Sequence, residues 1–126
     1  MDTKYIDQSL GTKPWVKALA IIDPQTAQPV YAWGDTCNAA HYAESLMDKS
    51  NKSAGRTGAW HTGAFLDDDT LDIALAREVG GYTVLVETTS GQEDFPAVKR
   101  GAKKLAHAAR HALKSAGMLG PLYENC

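Results

Sequence analysis

Hydrophobic positions along the chain fall into two short extended runs, a helical stretch, three more extended runs and a long final helix. "VKALAIID" (Val16 to Asp23) is a β-rich run, and "PVYAW" (Pro29 to Trp33) is a second. Between them Asp23-Pro24 breaks helix and favours a turn, so the two runs predict a hairpin with a connection of about five residues. Ala39, Tyr42, Ala43, Leu46 and Met47 then recur at helical spacing, which predicts a helix over Asn38 to Met47. Asp35, Thr36 or Asn38 can cap its start. His41, Glu44, Ser45 and Asp48 take the opposite face. The pattern fades in "DKSNKSAGRTG", a polar stretch that reads as a loop because nothing in it can bury surface.

Three strands are predicted next. "GAWHTGAFL" (Gly58 to Leu66) leads into "DDDT", an acidic turn. "LDIALAREV" (Leu71 to Val79) alternates, with Leu71, Ile73 and Leu75 on one face. Gly80-Gly81 then joins it to "YTVLVETT" (Tyr82 to Thr89). A Gly-Gly pair between two alternating runs is a strong hairpin signal, because a type I′ turn needs positive φ at both central positions.

The last helix is predicted over "AVKRGAKKLAHAARHALKSAG", with Asp94 as cap, Pro96 in the first turn and Gly117 at the C-terminal end. Lys99, Arg100, Lys103, Lys104, His107, Arg110, His111 and Lys114 share a stripe about 140° wide. Val98, Ala102, Leu105, Ala109, Ala112, Leu113 and Ala116 take the other side, a small-residue face suited to close packing. With a possible short N-terminal helix, two strands, a helical crossover and a three-strand meander make an α+β fold in β-β-α-β-β-β-α order. Its five-stranded antiparallel sheet carries the helices packed on it.

Length and composition narrow this further. The 126 residues suit one domain, 1–126, with a single core. No apolar run approaches the roughly 20 residues that cross a bilayer, and "MDTKYIDQSLG" lacks a signal peptide's basic start and apolar stretch. A cytoplasmic location is expected. The two cysteines, Cys37 and Cys126, are too few for a disulfide framework and read as free thiols.

Charge is uneven. From Thr57 to Asp94 there are eight acids (Asp67, Asp68, Asp69, Asp72, Glu78, Glu87, Glu93, Asp94) against Arg77 alone, while the last helix holds six of the 13 bases. A net charge of −2 and a helix without aromatic residues disfavour nucleic acid. An apolar side of mostly alanine disfavours a membrane. The stripe reads as a solvated helix face, with an acidic protein partner as the functional alternative.

Candidate chemistry is sparse. Cys37 and His41 sit four apart, a spacing that suits a metal pair or an activated thiolate as well as a plain structural cysteine. His107 and His111 share one helix face but lie among cations that repel a divalent ion. Asp67, Asp68 and Asp69 lack the ligand spacing of an EF-hand. "WGDTCNAA" has one glycine and no lysine, so it makes no Walker-type phosphate loop. His41 or His61 beside Glu44 or an aspartate is the remaining acid–base possibility. No catalytic residue, metal or cofactor is expected.

In "ALAIIDPQTAQPVYAWGD" and "LAREVGGYTVLVETT", followed by the basic helix, the chain resembles the Roadblock / dynein light chain family of the profilin-like fold class. The resemblance runs through element order over nearly the whole chain. It implies a non-enzymatic homodimer, two sheets joined edge to edge with central helices side by side, that acts as an adaptor or regulator of small Ras-like GTPases or motor complexes. The strand Gly58 to Leu66 has no Lys, Pro or internal acid to discourage self-pairing. The expected dimer interface is Trp60, Thr62 and Ala64 with Tyr42 and Leu46. The expected partner surface is His41, Glu44, Ser45 and Asp48. The rival reading is a profilin-like small-ligand sensor in which Trp33, Trp60 and Tyr82 line a pocket.

Overall fold

A computed structural model describes residues 1–52, 60–67, 70–88 and 95–117. The elements run α1 (Lys4–Gly11), β1 (Val16–Asp23), β2 (Gln28–Gly34), α2 (Ala39–Lys52), β3 (His61–Asp67), β4 (Thr70–Val79), β5 (Tyr82–Thr88) and α3 (Phe95–Ser115). The expected order holds, including the short N-terminal helix. The five strands form one sheet in the order β2-β1-β5-β4-β3, with every neighbouring pair antiparallel. α2 therefore carries the chain from one edge of the sheet to the other, and the meander returns inward until β5 lies beside β1.

Local chemistry explains the joints. At the first hairpin Gln25 N donates to Asp23 Oδ1 at 2.9 Å and Ala27 N donates to Asp23 O at 2.8 Å, closing the turn with Ala27 at φ 58°. Gly80 and Gly81 both have positive φ, 61° and 88°, as the β4–β5 turn requires. Gly117, φ 68°, ends α3 with its N–H on Lys114 O.

Some predicted boundaries shift. α2 continues through Lys52 instead of fading after Met47, since backbone hydrogen bonds carry a helix past the end of its apolar stripe. The third strand begins at His61; Gly58 and Ala59 lie outside the described residues, as do Asp68, Asp69, Thr89, Asp94 and Cys126.

The sheet separates two cores. On one face α2 lays Ala39, Tyr42, Ala43 and Leu46 over Ala20, Ile22, Ala74, Ala76 and Leu85. On the other, α1 and α3 cover Leu19, Ile21, Leu75, Val84 and Val86 with Ile6, Leu10, Leu105, Ala109 and Leu113. The α3 stripe of small residues is buried as predicted except Ala116, which is exposed. Gly101 belongs to the same face, and the ring of Trp15 lies where its Cβ would stand.

Candidate functional site

β3 is an edge strand. Its inner side pairs with β4 from His61↔Ala76 to Asp67↔Thr70, and no strand among the described residues covers its outer side. A row of backbone donors and acceptors is therefore available for a further strand. Side chains alternate along it. His61, Gly63 and Phe65 lie under α2, where Phe65 stacks on Tyr42 with centroids 4.1 Å apart. Gly63 leaves room for the helix: a Cβ would approach Leu46 Cδ2 to 2.8 Å and oblige that side chain to shift. Thr62, Ala64 and Leu66 lie on the opposite face and are exposed, Leu66 at 75%. Trp60, just before the strand, packs half-buried on the larger core with the Arg77 guanidinium 5.9 Å from its ring centroid.

The helix half of the expected interface needs correction. Tyr42 and Leu46 are 3% and 1% exposed and sit in the protomer's own core, against the sheet, so they present nothing outward. The apolar stripe that makes α2 amphipathic is spent on its own sheet. Of the expected outward residues, His41 and Glu44 are exposed and Ser45 is half-buried. Asp48 falls within α2, and its side chain lies outside the described residues. His41 flanks the β3 side, its ring 6.5 Å from Phe65. Glu44 lies on the other flank, where Ala40 and Met47 line a groove of about 350 Å³ with Ile22 and Pro24.

A buried polar anchor beneath α2 escaped the sequence reading. Asp72 Oδ1 accepts from Lys17 Nζ at 2.9 Å and Asp72 Oδ2 accepts from Tyr42 Oη at 3.1 Å, tying β4 to β1 and to α2. The hydrogen bond to Asp72 raises the Lys17 pKa despite partial burial. Asp72 and Glu87 are only 2% and 1% exposed, so two of the eight acids counted above belong to the core and the acidic surface is thinner than the sequence suggested.

The surroundings of Cys37 run opposite to activation, in line with the plain structural reading of this thiol. Its thiol and backbone N–H both face Asp35, whose hydrogen bond and charge push the thiol pKa up. An exposed thiol held protonated is a poor nucleophile. Neither His41 nor His61 has a carboxylate partner among the described residues, and no group of three metal-ligating side chains occurs among them. Trp33 and Trp60 lie at opposite edges of the sheet, on β2 and next to β3, with Tyr82 on β5 between. They do not line one pocket, as the sensor reading required. Lys99, Arg100, Lys103, Lys104, Arg110 and Lys114 are all exposed along α3. No helix among the described residues is long and apolar enough to cross a membrane.

No family model matches the chain, and no curated protein matches it. Among solved structures it is similar to Myxococcus xanthus MglB, at 15% identity and a TM-score of 0.62, over 90% of this chain and 91% of that one. At that identity the likeness concerns the fold, and the α+β sheet-and-helix architecture read from the sequence is the Roadblock-like one.

Proposed function

We propose that this chain is a non-enzymatic, homodimeric adaptor of the Roadblock type, working in the cytoplasm and holding a small Ras-like GTPase as its protein partner. The open outer side of β3 is the observation that carries this reading. Two copies related by a two-fold axis would satisfy each other's edge and give one ten-stranded sheet, which follows from doubling the five strands present. Trp60, Thr62 and Ala64 flank the joint. The two α2 helices then lie on one side of the doubled sheet, and their outer residues His41, Glu44, Ser45 and Asp48 form the partner surface. Likeness of fold to MglB over 90% of the chain supports the architecture on which this rests.

The test has two stages. Light scattering after gel filtration should give twice the monomer mass for the wild type. Ala64→Lys, at an exposed position, should give a monomer with unchanged circular dichroism, because a charge on an edge strand opposes pairing. A wild-type monomer at high micromolar concentration sinks the dimer. Calorimetric titration with the same organism's small Ras-like GTPases, bearing GDP or a GTP analogue, then reads the partner. Glu44→Lys should weaken that binding while leaving the dimer mass unchanged.

A further inference from the structure

The packing of α1 on α3 leaves a groove of about 540 Å³ whose walls are basic. On the α3 side Lys104, His107 and His111 stand at i, i+3 and i+7, one ridge about 10 Å long at 1.5 Å per residue. On the α1 side lie Ser9, Thr12 and Lys13. Lys13 is only 7% exposed, although lysine is almost never so deeply buried without an ionic partner. Its ammonium donates to Ser9 Oγ at 2.8 Å, Ser9 O at 3.2 Å and Thr12 Oγ1 at 3.2 Å, all neutral acceptors. No carboxylate pairs with Lys13, Lys104 or His107 among the described residues. Burial and then the charge of Lys104 push the Lys13 pKa down, so these two cations sit close without an anion between them. One end already shows what it accepts: the Asp2 carboxylate sits 3.5 Å from His111 Nε2.

We infer that the α1–α3 groove is a binding site for a small soluble polyanion bearing linked phosphates. Such a ligand brings its charge to the floor lysine and lies along the α3 ridge, with serine and threonine hydroxyls as further donors. A soluble ligand fits better than a lipid surface because Lys13 is almost wholly buried, so that little of it lies open to a flat layer of headgroups. Both walls come from one protomer, so the site does not depend on the proposed dimer.

The probe is pyrophosphate, titrated into the ¹⁵N-labelled protein with sodium chloride holding ionic strength constant. Amide shifts should saturate and cluster at Ser9, Thr12, Lys104, His107 and His111. Lys104→Gln changes only an exposed side chain and should weaken binding about tenfold, the loss of one charge-assisted contact. Lys13→Met should do the same. Asp2→Asn removes the competing carboxylate and should strengthen binding. Shifts that never saturate overturn the site, as do shifts spread evenly over Lys99, Arg100, Lys103 and Arg110. A response indifferent to these variants also overturns it. Binding to phosphoinositide vesicles without binding of pyrophosphate overturns it in favour of a membrane surface.

Discussion

At single positions, close approach and burial set the behaviour of residues whose type says little. Gly101 lies inside α3, where alanine is the better helix former by about 1 kcal/mol. A Cβ there would run into the Trp15 ring at Cζ2 and stand 3.2 Å from Lys13 Cε, and overpacking of that kind costs about 1–3 kcal/mol. Gly101→Ala should therefore lower the melting temperature by a few degrees in thermal denaturation; a rise would show that the ring moves aside freely. Tyr31 donates to Asp7 Oδ1 at 3.3 Å, and burial, the Asp7 charge and that bond raise its pKa to about 12. The folded value exceeds the ordinary one of about 10. Stability from Tyr31 is thus complete below pH 10 and disappears as pH climbs through 12. Phenolate absorbance should show a late-titrating tyrosine that is lost in Tyr31→Phe, and that variant should lose less stability across the same interval. Cys37 and Lys13 mark what sequence withholds at this scale. A thiol four residues from a histidine suggests reactivity until Asp35 is seen beside it, and a lysine between Thr12 and Pro14 gives no sign that two helices will bury it.

Among elements, those governed by near neighbours were readable and those governed by long-range packing were not. The β4–β5 hairpin follows from two glycines between alternating runs, and the first hairpin from Asp23-Pro24. The amphipathic stripe of α2 correctly marks a buried face, but a stripe does not say what buries it. Tyr42 and Leu46 were expected at a partner helix and are consumed by their own sheet. Asp72 reads as one acid in an acidic stretch, because its ligands Lys17 and Tyr42 are 55 and 30 residues away. β3 was legible through what it lacks: no proline or lysine guards it. The corresponding prediction is that of Ala64→Lys. One charge on this strand should abolish the proposed dimer with little change in the protomer's own melting, since Ala64 is exposed. Loss of protomer stability by more than about 1 kcal/mol would mean that Ala64 does inward work instead.

For the molecule as a whole, the sheet is covered unequally. The face under α1 and α3 buries 18 core residues among those described, whereas the face under α2 buries nine, five of them alanine. Helix α2 thus rests close to the strands on a thin seam that includes the Tyr42 hydroxyl bond to Asp72 and the Phe65 ring. Unequal seams release at unequal cost, because the free energy of local opening follows the apolar contact that must be broken. Deuterium should therefore enter the amides of α2 well before those of α3. Equal protection of the two helices would disprove this order. Whatever grips α2 from outside would hold shut the layer that loosens first, so occupancy of that face would register as slower exchange far along the helix, beyond any atom it touches.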